Sequence, residues 1–331
     1  MSASGPVVVL GASGYLGSHV LRALLAAGHR EVRAVARRPA LVPPGSGIEV
    51  VRADLTEPGA AAAVVTGASA VIHLVADIDH TGGRGWRTAE GPAARDVPAD
   101  PTLVAVLAAL AERRCPVPVP VVWSGSVTQV GTRSNARVDG SEIDRPETGY
   151  DRRKCRAERL LRDAGRAGHI RAVALRLPTL YGPPAADGCP AGGGVVAAMV
   201  RLALDGEPLT LWNDGRITRD LLHVRDAATA VVRGLNVVAS GRAWPVGGDS
   251  PVELGELFAQ IAAVVATVTR TRPVPVQRVP APEFATAEDL RSIEVDSAAF
   301  RRATGWAPRV GLDDGLRATV EHEVEARIAV R

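Results

Sequence analysis

The chain has 331 residues, is 46% hydrophobic and 23% charged, and carries a net charge of +3, a balance that fits a folded globular protein with enough core to need no disulfide staples. It contains no run of about 18 apolar residues, Met1–Leu10 lacks the basic start of a signal peptide, and Cys115, Cys155 and Cys189 match no zinc spacing. These features point away from a membrane span, a secreted framework and a metal site, and towards the reducing cytoplasm; with 36 acidic residues interspersed among 39 basic ones, the clustered charge of a nucleic-acid surface is missing too.

Short Val/Ile/Leu runs alternate with Ala/Leu/Arg stretches through the first half, the pattern of βαβ units and a parallel sheet. Pro6–Leu10 is the first expected strand, and Gly14–Ala27 the first helix, closed by a left-handed Gly28. Between them runs Gly11-Ala12-Ser13-Gly14-Tyr15-Leu16-Gly17. Glycines at this spacing allow a tight turn and close backbone approach, and the helix N-terminus then offers free N–H groups to a pyrophosphate. The second strand, Glu31–Ala36, is followed by Arg37 and Arg38. A site that prefers NAD places an acidic residue there; two guanidinium groups suit the 2′-phosphate of NADP(H) instead.

Further along, strands are expected at Ile48–Arg52, Ala70–Val75, Val119–Ser124 and Arg171–Leu177, with helices at Pro58–Val65, Pro101–Arg114 and Gly149–Gly165. Asp77–Val97 is polar and Gly-rich and is expected to be a long loop, and the prolines of Cys115–Pro120 forbid a helix. After residue 177 the texture changes to Pro/Gly clusters and shorter elements.

The chemistry concentrates at Tyr150-Asp-Arg-Arg-Lys154. Lys154 is the only lysine among the 39 basic residues, the other 38 being arginine, and Tyr150 is one of three tyrosines with Tyr15 and Tyr181. A spacing of four residues puts Tyr150 and Lys154 on one helical face. An ammonium beside a phenol favours the phenolate and makes tyrosine a usable acid or base near neutrality. A compact lysine serves there where a broad guanidinium would not. Ser124, Ser126 and Thr128, at the end of a predicted strand, are all candidates for a hydroxyl that binds a substrate carbonyl.

Together these residues resemble the extended short-chain dehydrogenase/reductase superfamily (NAD-dependent epimerase/dehydratase family). The blocks that carry the resemblance are Gly11–Gly17, Ala53-Asp54-Leu55, His73-Leu74-Val75-Ala76, Ser124–Gly131, Tyr150/Lys154, Arg176–Pro183, Arg219–Asp226 and Thr304–Pro308. The fold implied is α/β: a Rossmann-type doubly wound parallel sheet over residues 1–177, binding NADP(H) and carrying the catalytic residues, and a smaller C-terminal α/β substrate-binding region over residues 178–331, with some segments returning to the first domain. By the register of the family's strand-end motif, the resemblance selects Ser126 as the catalytic hydroxyl beside Tyr150 and Lys154. It further implies cofactor contacts at Gly11, Ser13, Gly14, Tyr15, Leu16, Gly17, Arg37, Arg38, Asp54, Leu55, Leu74, Ala76, Tyr150, Lys154 and Pro178, and substrate contacts at Ser126, Thr179, Arg219 and Arg291, with no metal.

The departures narrow the activity. Sugar 4,6-dehydratases follow the catalytic hydroxyl with an acidic pair, whereas Val127 and Thr128 stand here, and the family's usual Asn is Thr179. The stretch Gly194–Asp226 is most similar to NDP-hexose 4-ketoreductases of deoxysugar and antibiotic biosynthesis. That likeness implies NADPH-dependent reduction of an NDP-4-keto-6-deoxyhexose, dTDP-linked, by a cytoplasmic homodimer that binds neither nucleic acid nor membrane. The rival readings are a nucleotide-sugar 4-epimerase holding NAD tightly, a reductase of non-nucleotide ketones, and a non-enzymatic NADP sensor. His73 and His223 read as packed neighbours, Cys155 as an unreactive thiol, and the run Arg152, Arg153, Arg156, Arg159 and Arg162, interleaved with Asp151, Glu158 and Asp163, as a solvated face.

Overall fold

The computed structural model describes residues 5–75, 100–113, 117–131, 137–212, 214–238, 241–282, 285 and 291–329. Ala76, the expected 77–97 loop and Cys115 lie outside the described residues. The first half runs β1 (Val7–Leu10), α1 (Tyr15–Ala26), β2 (Val32–Ala36), β3 (Glu49–Arg52), α2 (Ala60–Val65), β4 (Ala70–His73), α3 (Pro101–Glu112) and β5 (Val119–Ser126). A single 3-10 turn at Val127–Val130, β6 (Arg137–Val138), α4 (Gly149–Arg166) and β7 (Ile170–Leu177) complete it. The second half runs β8 (Thr179–Tyr181), α5 (Gly194–Leu204), β9 (Leu209–Trp212), β10 (Thr218–Arg219), β11 (Leu221–His223), α6 (Val224–Gly234) and β12 (Ala243–Pro245). After these come β13 (Val252–Glu253), α7 (Leu254–Thr269), β14 (Val276–Val279), β15 (Glu294–Val295), α8 (Ala298–Thr304) and α9 (Leu312–Ala329).

Seven of these strands form one parallel sheet in the order β3-β2-β1-β4-β5-β7-β12. This is the Rossmann-type α/β fold. Alternation along β1 explains why both faces are covered. Val7 and Val9 point into a core shared with α1 and α6, while Val8 and Leu10 point into one shared with α2, α3 and α4. Each such side chain, fully buried, contributes roughly 1.5–3 kcal/mol. The order reverses between β1 and β4, and that crevice at the carboxyl ends of the strands is where ligands bind in such sheets.

Strand ends move by one or two residues from the sequence expectation, and one shift matters. β5 runs past Ser124 because it stays paired with β7 as far as Ser126↔Leu177, so the candidate hydroxyl is fixed by a ladder. The short turn that follows is anchored by a small cluster of Val127, Val130, Val138, Ile293 and Val295. A third core unites Tyr181, Val196, Leu209, Phe258, Ile261 and Leu316 in the second half. The α1 helix ends as expected: Gly28 is left-handed at φ +88°, and His29 N–H reaches back to Leu24 O. No described helix is long and apolar enough to cross a membrane.

Candidate active site

The turn after β1 is shaped by missing side chains. Gly11 has φ +84°, and a Cβ there would lie 2.9 Å from the Leu74 carbonyl carbon, inside the crevice. Leu74 itself is held by its N–H on Leu10 O at 2.9 Å. At Gly17 a Cβ would lie 2.2 Å from Gly11 O, so only glycine lets α1 start this close to the strand. Gly14 caps α1 without any side-chain hydrogen bond, and the first turn has no acidic residue. The helix N-terminus therefore presents free N–H groups and a positive dipole end over a glycine-lined cradle, which fits a dinucleotide pyrophosphate. Ser13 sits in this turn, half-buried, and Leu16 packs on the core below it.

Tyr15 points elsewhere. Its hydroxyl donates to Gly182 O at 2.8 Å, burial pushes its pKa up, and His19 Nε2 lies 3.1 Å from Pro183 O on the next turn of α1. At the β2 end, Arg37 and Arg38 are exposed. The hydroxyl and N–H of Thr56, donating to Asp54 Oδ1 at 2.7 and 3.0 Å, hold that carboxyl below its ordinary range, with Arg37 nearby adding to the effect. Leu55 is buried beneath them, and Pro178 is half-buried just past β7.

At the β5 end, α4 begins with a capping box: Thr148 Oγ1 accepts from Asp151 N–H at 3.1 Å, while Asp151 Oδ2 accepts from Thr148 N–H at 3.2 Å. Lys154, one turn after Tyr150, donates to Ser124 O at 2.7 Å, with Nζ 4.8 Å from the Trp123 ring centroid and 5.7 Å from that of Tyr150. Burial lowers the Lys154 pKa to about 8, against the raising influence of Asp100, so it remains an ammonium at neutral pH. Ser126 Oγ is 2.8 Å from Thr128 Oγ1 and accepts the Thr128 N–H at 3.2 Å; Thr128 Oγ1 donates to Asp151 Oδ1 at 2.5 Å.

Behind the hydroxyl lies a buried polar network. Ser126 N–H donates to Gln129 Oε1 at 2.9 Å, and Gln129 Nε2 donates to Glu158 Oε2 at 3.0 Å. Glu158 receives Arg176 on both oxygens at 2.9 Å and Arg162 at 2.8 Å, and Arg176 also reaches Asp144 Oδ2 at 2.8 Å. This corrects the solvated-face expectation for two of its members: Asp151 and Glu158 are 1% and 2% exposed, while Arg156, Arg159 and Asp163 do face solvent. Glu158 faces inward because a helix that aims Tyr150 and Lys154 at the strand ends aims the residue four further on at β5 and β7 as well, and Asp151 is drawn in by its capping box with Thr148 and by Thr128. Gln129, Asp151 and Glu158 are thus site residues that sequence reasoning missed, while Thr128, a candidate hydroxyl from the sequence, stands behind Ser126. The available signals were the Thr148-x-x-Asp151 capping pattern and the Tyr150, Lys154, Glu158 spacing.

The bland readings of the remaining side chains agree with their surroundings. His73 is fully buried with Nε2 3.1 Å from Thr102 Oγ1, and burial lowers its pKa to about 4. His223 caps α6 through Nδ1, packs edge-on against Tyr181 and is likewise pushed down to about 4 by burial. Burial drives the Cys155 thiol up to about 12.

In the second half, Arg219 donates to the Arg291 carbonyl, and the two segments are laced by Ile293 N–H to Thr218 O and Asp220 N–H to Ile293 O, both at 3.0 Å. The structure thus brings Arg219 and Arg291 together. Thr179 starts β8, paired with Leu221 of β11, two residues beyond the Leu177 that pairs with Ser126.

Comparison with known proteins gives consistent likenesses. Residues 7–247 match the profile of a family described as the NAD dependent epimerase/dehydratase family. The chain is 27% identical over 180 residues to dTDP-glucose 4,6-dehydratase of Neisseria gonorrhoeae, covering 53% of this chain and 50% of that protein. It is 32% identical over 267 residues to 2′-dehydrokanamycin reductase of Streptomyces kanamyceticus, covering 77% of this chain and 65% of that one. Among solved structures, MoeE5 in complex with UDP-glucuronic acid and NAD superimposes with a TM-score of 0.75 at 26% identity, covering 97% of this chain and 100% of the other. The chain spans about half the length, or less, of several curated relatives it matches.

Proposed function

Because the chain belongs to the NAD-dependent epimerase/dehydratase family, we propose that it is an NADP(H)-dependent oxidoreductase that reduces the C4 ketone of a dTDP-linked 4-keto-6-deoxyhexose. One observation carries the reading. Tyr150, Lys154 and Ser126 converge on the β5–α4 end, while Val127 and Thr128 occupy the positions where elimination of water would need carboxylates. The carboxylates that touch this turn are both occupied, Asp151 by Thr128 and Thr148 and Glu158 by Gln129 and Arg176.

In this reading the nicotinamide, when bound, supplies the hydride. Gly11, Ser13, Gly14 and Gly17 hold the pyrophosphate, with Tyr15 and Leu16 shaping the turn. Asp54 would meet the adenine and Arg37 and Arg38 the 2′-phosphate, with Leu55, Leu74, Ala76 and Pro178 as further cofactor contacts. Tyr150 gives its proton to the developing alkoxide and Ser126 steadies that oxygen. Lys154 anchors the ribose and favours the phenolate after transfer. Arg219 and Arg291 hold the diphosphate, and Thr179 lies beside the sugar. We expect two cytoplasmic copies to pair through α3 and α4; on α3, Val104 is exposed.

The test is incubation with NADPH and dTDP-4-keto-6-deoxyglucose, expecting NADPH consumption and a dTDP-6-deoxyhexose product. Purified protein carrying stoichiometric NAD and interconverting C4 epimers would establish the epimerase instead. The likeness over 77% of the chain to 2′-dehydrokanamycin reductase favours a second reading, reduction of a ketone on a glycoside without a nucleotide. Arg219→Ala separates the two. It weakens dTDP binding if a diphosphate is recognised, and leaves ketone KM unchanged if none is.

A further inference from the structure

Proton counting along the Ser126–Thr128–Asp151 chain fixes which way each hydroxyl points. Asp151 Oδ2 is filled by the Thr148 hydroxyl and N–H at 2.7 and 3.2 Å, which leaves Oδ1 for Thr128 Oγ1 at 2.5 Å. An ionised carboxylate only accepts, so the single hydroxyl hydrogen of Thr128 goes to Oδ1. The Thr128 oxygen then takes the hydrogen of Ser126 across 2.8 Å, and Ser126 faces the site with a lone pair. If Oδ1 carries a proton, the chain reverses, and the hydrogen of Ser126 is released towards the site.

We propose that Asp151 and Thr128 are positioning residues forming a reversible hydroxyl relay, in which the proton on Asp151 Oδ1 decides whether Ser126 meets the substrate as acceptor, suited to an alcohol, or as donor, suited to a ketone. The inference rests on the oxidoreductase reading for its substrate. Asp151 is faced by Thr128 from the turn, by Thr148 and the Glu147 backbone from the loop, and by the neutral Cys155 thiol on its own helix. Arg152, the adjacent cation, turns its guanidinium to Glu147 O at 2.9 Å. Burial holds the Asp151 carboxyl above its ordinary range, against the lowering pull of the hydrogen bonds from Thr128 and Thr148, so the proton on Oδ1 is favoured more than in an exposed aspartate.

The first test needs no substrate. In protein labelled with carbon-13 at Asp carboxyls, the Asp151 signal is identified by its loss in Asp151→Asn and followed against pH. Thr128→Val, which removes the donor to the ionised form, should raise its midpoint by about one pH unit, and Thr128→Ser should restore it. A midpoint unmoved by Thr128→Val, or an Asp151 that never titrates, overturns the relay. The second test uses dTDP-4-keto-6-deoxyglucose and its alcohol product. In Asp151→Asn the amide N–H faces Thr128 and holds Ser126 as a donor. Ketone KM should then stay at or below the wild-type value and lose its pH dependence, while the alcohol inhibits about tenfold more weakly. Undiminished alcohol inhibition overturns the proposed polarity. A wild-type protein that reduces no ketone defeats the oxidoreductase reading, and the carboxyl titration still decides the relay.

Discussion

The two halves of the site are built on opposite principles. At the end of β1 the shape depends on absent side chains: Gly11 and Gly17 leave backbone against backbone, and no side chain caps α1. At the end of β5 it depends on side chains reaching across long stretches of chain, Thr128 to Asp151, Gln129 to Glu158 and Lys154 to the Ser124 carbonyl, 23 to 30 residues apart. The first arrangement is intolerant of any added atom. The second accepts changes of size but not the loss of a polar partner, because each buried group left unpaired keeps its full desolvation cost.

That contrast can be broken from either side. The largest effect is expected from Tyr150→Phe, which should lower kcat by about 10²–10⁴ while NADPH affinity, measured by titration, stays near wild type. Near-normal turnover would remove Tyr150 from the chemistry. Glu158→Ala should cost roughly 3–5 kcal/mol of unfolding free energy in denaturant melts, because it leaves the buried Arg176 guanidinium with Asp144 alone and the Gln129 amide without its acceptor. Gly17→Ala should cost less stability, about 1–3 kcal/mol, yet weaken dinucleotide binding strongly, since its Cβ meets Gly11 O. If the two variants instead lost stability and cofactor affinity in equal proportion, the contrast between the two ends would fall.

Smaller effects sharpen the picture. Replacing Arg37 and Arg38 by Ala should weaken NADPH binding by about tenfold and leave NADH unaffected; an equal loss for both removes the 2′-phosphate role. The smallest is a pH effect. Burial lowers the Lys154 pKa from an ordinary 10.5 to about 8 in the folded chain, so between those values the unfolded chain binds more protons. Native stability contributed by this group therefore rises with pH across that window, while the ammonium beside Tyr150 is lost. The rate should fall as pH climbs through about 8 with no drop in melting temperature attributable to Lys154. A rate that stays flat to pH 10 contradicts the assignment.

What could be read in advance follows the same division. The Gly11–Gly17 turn and the Tyr150/Lys154 pair are local patterns, and local patterns survive in a string of letters. The Rossmann-type sheet was legible for the same reason, from runs such as Val7–Leu10 that are apolar at every position. Asp151 and Glu158 were misjudged because charge alternation along α4 looks the same whether a carboxylate meets water or Arg176. Deciding between them takes the packing of α4 against β7, a contact no spacing rule contains. The meeting of Arg219 and Arg291 across more than 70 residues is equally invisible to periodicity; it was expected only by likeness to other proteins, and backbone pairing through Ile293 is what brings them together.

The seventh strand has a consequence for how the chain is made. β12, at Ala243–Pro245, closes the edge beyond β7, and α6 covers α1 on one sheet face. While a ribosome is still adding residues up to about position 245, β7 leaves that edge of polar backbone unpaired and the apolar stripe of α1 uncovered. The nascent first half is then open to edge pairing with other chains, and its last sheet bonds must wait for late-arriving residues.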